Sequence, residues 1–421
     1  MEIINFILYL LLVVYIYKFH KNASFALYVS SLWLLSAFIG IFYYHSSVYR
    51  KGLYDISFFP FFFLWFCFLL SLVPMLSQEK SVVRVIYGNP QIKWLIYIIV
   101  SISIIPGIEI IISLLQMAIS GRFMLLGAYY DEVVAGDTEQ LISISSLSTF
   151  LLQFLRNGKV INLILFFYYM QFKKRSKYVA CGLLFASFLP ALGNITYGNR
   201  TELIWFLIYF FCMYFFLKNT YSEMVKSFFK KLSVLILSLF LTILISLSIG
   251  RYIVGSYYNA SSIDGYLLKY TSESMYNFNN YAFYEEKPLM GYQTANTFLN
   301  KIGFSKITKQ SELRAHIDSH TKSPSNIFYT FIGDLYKDFG MLGTLIYVSF
   351  FAFVFSFFRI KRKMKLQDVA MLGTYVYLIA NGLFYYCYKV SYGPLTYCII
   401  FYIVANVMDN SNIKLIEKMR K

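Results

Sequence analysis

The stretch MLGTLIYVSFFAFVFSFF, residues 341–358, decides the fold, because it carries no charged side chain and is nearly long enough to cross a membrane. A transmembrane helix needs about 20 apolar residues. The whole chain has the same character: 58% of its 421 residues are hydrophobic and 14% are charged. Soluble domains carry about 25% charged residues. The sequence therefore predicts an all-α protein that crosses the membrane several times.

Apolar runs of similar length recur along the chain, and charged residues separate them. They predict about eleven transmembrane helices, at 3–17, 24–44, 57–76, 94–118, 159–172, 178–195, 202–217, 232–250, 340–358, 369–387 and 394–408. Serines are mixed with leucines in residues 141–155, which predicts a re-entrant or interfacial helix there. The predicted organisation is eight spans in 1–251, an external segment in 252–339, and three spans with a tail in 340–421.

The net charge of +17 follows the predicted topology. If the N-terminus is outside and the C-terminus cytoplasmic, more than half of the 38 Lys and Arg residues lie in cytoplasmic connections. The clearest of these are KKRSK (173–177) and RIKRKMK (359–365). An excess of basic residues on the cytoplasmic side is typical of membrane proteins. The positive charge therefore indicates membrane topology and no binding to nucleic acid.

The long segment 252–339 is too long for a linker and too aromatic for a disordered tract. Its first part, YYNASSIDGYLLKYTSESMYNFNNYAFYEEK (257–287), is rich in Tyr and Asn. Aromatic rings pack on the C–H faces of sugars, and amides bind hydroxyl groups. We therefore expect either a sugar-binding cap or a small helical cap whose tyrosines are half-buried.

Two arginines stand at predicted external ends of spans, next to glycine. Arg200 lies in TYGNRTEL, and Arg251 follows Gly250. Glycine allows close approach of the backbone to a ligand, and a guanidinium group offers a rigid fork for phosphate oxygens. Both arginines are candidates for binding a diphosphate at the membrane surface. The alternative is that they extend toward lipid headgroups.

Glu109 interrupts the fourth predicted span in SIIPGIEIIIS, after Pro106 and Gly107. A carboxylate inside a membrane is costly unless it is paired or protonated, so it is a candidate functional residue. We expect an arginine partner for it. Glu109 could also be the proton site of a transporter or the wall of a polar cavity.

His316 and His320 are four residues apart in RAHIDSHTKS. The spacing resembles a metal-binding pair, but no Glu follows the first histidine and no further His or Cys is near. A general base is therefore the better functional interpretation, and a solvated loop histidine is the alternative. We expect no metal and no other cofactor.

Asp334 and Asp338 precede the span at 341–358 in YTFIGDLYKDFG. On a helix they would share one face. They could complement the dipole at the start of the span, or offer a carboxylate to a site at the outer surface.

Three stretches resemble the bacterial polysaccharide repeat-unit polymerases of the Wzy type and, more distantly, the O-antigen ligases. They are GNRTELIWFLIYFF (198–211), KPLMGYQT (287–294) and SNIFYTFIGDLYKDFGMLGTLIY (325–347). Asn326, Asp338 and Phe339-Gly340 match the pattern in the last stretch. Ligases have His directly before the Asn, whereas Ser325 stands here, and this departure favours a polymerase.

The resemblance implies a metal-independent, multispan (GT-C-like) glycosyltransferase of the bacterial cytoplasmic membrane. It would transfer a growing glycan from undecaprenyl diphosphate to a lipid-linked repeat unit at the outer face. Its partners would be membrane lipid, a flippase and a chain-length regulator. By position, the resemblance assigns the lipid diphosphate to Arg200 and Arg251, and the candidates for the base are His320, His316 and Asp334.

Two other functions are compatible with the sequence. A flippase or transporter of lipid-linked oligosaccharide would use Glu109 as its coupling site, although flippases usually carry charges in many spans. A ligase-like transferase would differ from the polymerase only in its acceptor.

Overall fold

The computed structural model describes residues 1–20, 24–49, 52–76, 83–120, 144–172, 175–196, 201–254, 263–307, 310–325, 327–358, 360–389 and 392–420. The described residues are mostly helical. The helices are α1 (Glu2–Phe19), α2 (Ser24–Tyr44), α3 (Phe58–Leu76), α4 (Ile92–Ile119), α5 (Ser146–Met170), α6 (Lys177–Ile195), α7 (Thr201–Leu217), α8 (Glu223–Val254), α9 (Ile263–Asn280), α10 (Tyr292–Lys301), α11 (Gln310–His320), α12 (Thr330–Phe355), α13 (Leu366–Asn381) and α14 (Gly393–Arg420). Two short strands, β1 (Val85–Tyr87) and β2 (Lys363–Lys365), complete the fold.

Eight of the helices in the described ranges are long and apolar enough to cross a membrane. They are α1 to α7 and α12. Their presence agrees with the predicted multispan, membrane-embedded protein. The predicted number of about eleven spans, the orientation of the termini and the external position of 252–339 stay predictions.

The chain divides into two compact units. Unit 1 contains Met1–Ser81, Asn259–Arg359 and Val376–Ser391, and unit 2 contains Val82–Tyr258, Ile360–Tyr375 and Tyr392–Lys421. The boundary between Tyr375 and Val376 falls inside α13.

In unit 1, α2 packs against α1 and α9, and α3 packs against α12. The completely buried Trp33 of α2 stacks on Phe68 of α3, with ring centroids 4.3 Å apart. Gly40 allows α9 to approach α2 closely, because a Cβ atom there would lie 2.8 Å from the ring of Tyr276. Small residues have this role in many membrane helix pairs, where lipid removes the hydrophobic drive for association.

In unit 2, α5 is the central helix and packs against α4, α6, α7 and α14. Gly182 and Gly193 of α6 lie against Val100 of α4 and Leu152 of α5, where a Cβ atom would come within 3 Å of either side chain. The strands β1 and β2 pair in parallel, with Val85 opposite Lys363. The side-chain amide of Gln171 binds both backbone groups of Ile86 and fixes β1 to the end of α5.

Helix α5 differs from the prediction. Residues 146–155, expected in a separate re-entrant or interfacial helix, continue without a break into the predicted span at 159–172. The side-chain oxygen of Ser145 accepts the N–H of Ser148 and caps the helix. The predicted boundary between residues 155 and 159 lies in the middle of the helix, where the side chains of Arg156 and Lys159 find partners on α6 and α7.

Helix α12 has a kink at the position where the sequence predicts the start of a span. Gly340 has φ 64° and ψ −170°, a conformation that other residues rarely adopt. It separates residues 330–339, which contain the three charged side chains of α12, from residues 341–355, which contain none. The two parts of α12 therefore have different surroundings.

Candidate functional site

Three charged side chains in the first half of α12 are completely buried in unit 1: Asp334, Lys337 and Asp338. A buried charge is costly unless it is paired and hydrogen-bonded. The partners of these three groups therefore decide what the cluster can do.

Asp334 has protein partners on both of its oxygen atoms. The ammonium group of Lys389 contacts them at 2.9 and 3.1 Å. The backbone N–H of Tyr386 donates to Oδ2 at 2.8 Å, and the side-chain amide of Gln293 donates to Oδ1 at 2.7 Å. These bonds occupy both oxygen atoms of Asp334 with protein donors and leave little room for a substrate hydroxyl. Through these contacts Asp334 holds two segments against α12: helix α10, through Gln293, and residues 386–389, through Tyr386 and Lys389.

Asp338 caps α10 from a distant position in the chain. Its carboxylate accepts the backbone N–H groups of Gln293 at 2.8 Å and Thr294 at 2.6 Å, and also the hydroxyl of Thr294. Its own carbonyl oxygen accepts the N–H of Met290 at 3.0 Å. A carboxylate at a helix N-terminus satisfies free N–H groups and complements the helix dipole. The helix that Asp338 complements is α10, whereas the predicted dipole role concerned the helix that contains Asp338.

Lys337 has no hydrogen-bond partner for its ammonium nitrogen in the described part of the chain. The nitrogen lies over the ring of Tyr329, 4.4 Å from the centroid. A cation over an aromatic ring gains about 2 kcal/mol when it is desolvated. This gain is smaller than the cost of burying an ammonium group without hydrogen bonds.

His316 and His320 stack on each other on the exposed side of α11. Their ring centroids are 4.2 Å apart, and the ring of Tyr292 lies 4.4 Å from that of His316. The Nδ1 atom of His320 donates to the carbonyl oxygen of His316 at 2.8 Å. Burial, and then the neighbouring His320, lower the pKa of His316 below its ordinary value. A neutral imidazole that can accept a proton is therefore available at neutral pH.

Tyr292 links the histidine pair to the buried cluster. It is the first residue of α10, and the next residue, Gln293, binds both Asp334 and Asp338. Three of the predicted site residues, His316, Asp334 and Asp338, therefore meet around the first turn of α10. Sequence spacing could not show this, because the three residues contact α10 only through the tertiary fold.

The other predicted residues are placed as follows. Arg200 and Asn326 lie outside the described residues, and so does the side chain of Arg251, which belongs to α8. Glu109 accepts the hydroxyl of Ser145 at 2.7 Å and its N–H at 3.0 Å. Ser145, the capping residue of α5, is thus the partner of Glu109 among the described residues, and the expected arginine partner stays a prediction.

Much of the Tyr- and Asn-rich segment has internal partners. Tyr276 is buried and donates to the carbonyl oxygen of Gly40 at 2.7 Å. Asn279 bonds to both backbone groups of Ser57, and Asn277 donates to the carbonyl oxygen of Phe328. These three side chains are therefore used in internal contacts, and whether the segment forms an external cap stays a prediction.

Two basic residues that the sequence analysis did not single out lie in the middle of α5. Arg156 donates from Nη2 to Oδ1 of Asn194 at 3.0 Å. Lys159 contacts both carboxylate oxygens of Glu202, at 2.6 and 2.8 Å. The sequence contained a signal for them, because a single predicted span over 146–170 would have placed both charged residues inside a membrane helix.

Within the described ranges, no group of three or more His, Cys, Asp or Glu residues could hold a metal ion. No protein-family model, curated protein or solved structure matches this chain.

Proposed function

We propose that this protein is an oligosaccharide repeat-unit polymerase of the bacterial cytoplasmic membrane. It would transfer a growing glycan from undecaprenyl diphosphate to a lipid-linked repeat unit at the outer face. The fold would then be that of a multispan, GT-C-like glycosyltransferase. The resemblance of residues 198–211, 287–294 and 325–347 to the Wzy-type polymerases motivates the proposal.

The observation that carries the proposal is the stacked pair His316 and His320 beside Tyr292. Glycan transfer to a hydroxyl group needs a base close to neutral pKa. The pair supplies an imidazole whose protonated form is disfavoured, and the tyrosine ring beside it can pack on a sugar. Asp334, whose oxygens are bonded to protein donors, would position α10 without acting as the base.

The proposed reaction is a single displacement. The acceptor hydroxyl oxygen bonds to the anomeric carbon of the donor as the bond from that carbon to the diphosphate breaks. The electron pair leaves with the lipid diphosphate, and the hydroxyl proton passes to His316 or His320. Arg200 and Arg251 would stabilise the negative charge that develops on the diphosphate.

The test uses the glycan lipids of a strain that lacks the gene. We expect single repeat units on the lipid carrier in that strain, and long glycan when the wild-type gene is restored. His316→Gln combined with His320→Gln should leave single units at a normal protein level. Loss of all exported material in the deletion strain would indicate a flippase, and free polymer without an anchor would indicate a ligase. Wild-type banding in the double variant would remove the histidines from the reaction.

A further inference from the structure

Arg156 carries a positive charge that the described part of unit 2 does not balance. It lies on α5, the helix at the centre of this unit. Among the described residues it donates to the neutral amide of Asn194, and its Nε atom is buried without a hydrogen-bond partner there. No carboxylate of the described residues lies within ion-pair distance of it. An unbalanced charge on a membrane-spanning helix is costly and indicates a function by default.

The neighbouring charged residues of the described part of unit 2 do not balance the positive charge of Arg156. Lys159 is neutralised by Glu202, and its ammonium nitrogen lies 5.0 Å from the ring centroid of Trp205. Glu109 is bonded to Ser145. The local sum of Arg156, Lys159 and Glu202 is one net positive charge.

The bond to Asn194 also fixes the direction of the guanidinium group. It occupies one of the five N–H donors of arginine, through Nη2, and leaves others for a ligand. The amide NH2 group of Asn194 lies beside them as a further donor. A rigid set of donors around one positive charge matches the oxygens of a phosphate group.

We propose that Arg156 and Asn194 form a phosphate-binding site in unit 2. The site lies where α6 ends at Ile195, beside α5, on two helices that are long and apolar enough to cross a membrane. Its ligand is therefore a phosphate attached to a lipid. Two sources share this chemistry: the headgroup of an anionic phospholipid and the diphosphate of a prenyl-linked substrate. The site does not depend on the proposed glycan transfer.

The experiment measures binding to the full-length protein in a zwitterionic detergent. Farnesyl diphosphate and phosphatidylglycerol are titrated separately, and phosphatidylcholine serves as the comparison lipid. The variants are Arg156→Gln, Arg156→Lys and Asn194→Ala. Arg175→Gln is the matched control, because Arg175 is an arginine of the same unit that donates to the carbonyl oxygen of Phe172.

We expect Arg156→Gln to weaken binding by about tenfold or more, since it removes the positive charge and the hydrogen bonds from it to the phosphate. Arg156→Lys, which keeps the charge and loses the fork, should weaken binding less. Arg175→Gln should bind as the wild type does. Tighter binding of farnesyl diphosphate would identify a prenyl diphosphate as the ligand, and tighter binding of phosphatidylglycerol a phospholipid.

Three results would overturn the site: no binding by the wild type, equal binding by Arg156→Gln, or an equal loss in Arg175→Gln. If Arg156→Gln does not fold, Arg156→Lys and Asn194→Ala decide, and unchanged binding in both rejects the site. The glycan pattern in cells is independent of these results. The failure of one proposal can therefore be distinguished from the failure of the other.

Discussion

The carboxylate of Asp338 accepts the backbone N–H of Gln293 at 2.8 Å and thereby joins the start of α10 to α12. Asp334, one turn earlier on α12, accepts the side-chain amide of the same Gln293 and also contacts Lys389. The two carboxylates that the sequence places on one helix face thus both bind α10, and Asp334 binds a second segment as well. Both hold residues of unit 1 against the buried half of α12.

Asp338→Asn should destabilise the protein by about 1–2 kcal/mol, because the amide has one acceptor oxygen for the N–H and hydroxyl groups that the carboxylate now binds. Thermal unfolding of the purified protein measures this, and we expect a lowered protein level in cells. Glu286→Gln is the control, because its ion pair with Lys322 is exposed. A normal protein level with lost glycan would instead show that Asp338 acts on the substrate.

Asp334→Asn should cost up to about 3 kcal/mol, because it leaves the ammonium group of Lys389 without its carboxylate. Lys389 is 22% exposed, so water moderates the effect. The double variant with Lys389→Met should recover part of the loss in the same unfolding experiment. If the loss of stability in the double variant equals the sum of the losses in the two single variants, Asp334 and Lys389 are not coupled.

Lys337→Met should raise the stability of the protein by about 1–3 kcal/mol. The substitution removes a buried ammonium group that has no hydrogen bond and keeps most of the side-chain volume. Lys389→Met is the matched control in the same cluster and should lower stability. If Lys337→Met unfolds at a lower temperature than the wild type, the ring of Tyr329 compensates the ammonium group more than we estimate.

The sequence predicts the helices of this protein well where hydrophobic runs are bounded by charge. The predicted spans at 24–44 and 57–76 agree with α2 and α3 to within a residue or two. Gly340, where the predicted span at 340–358 begins, is also the position of a kink in the backbone. Such features are local and are therefore visible in the sequence.

The partners of the polar residues could not be predicted in the same way. The bond from Gln293 to Asp338 joins positions in different helices, and no periodicity connects them. Arg156 was missed because it falls between the predicted helix at 141–155 and the predicted span at 159–172, whereas Asn194 and Glu202 bind polar residues within one continuous helix. Tertiary contacts override local preference at these positions.

The histidine pair gives a prediction that titration can check directly. The chain has four histidines, so single His→Asn variants assign each imidazole signal in a nuclear magnetic resonance titration. We expect His316 to titrate below its ordinary pKa of 6.5. His320→Asn should move the pKa of His316 up toward that value, because a positive neighbour no longer opposes protonation. The shift should be incomplete, since burial, the larger cause, stays. A His316 pKa that does not respond to His320→Asn would contradict the stacked arrangement. A His316 pKa at or above 6.5 in the wild type would contradict it too, and would leave the proposed base protonated at a higher pH.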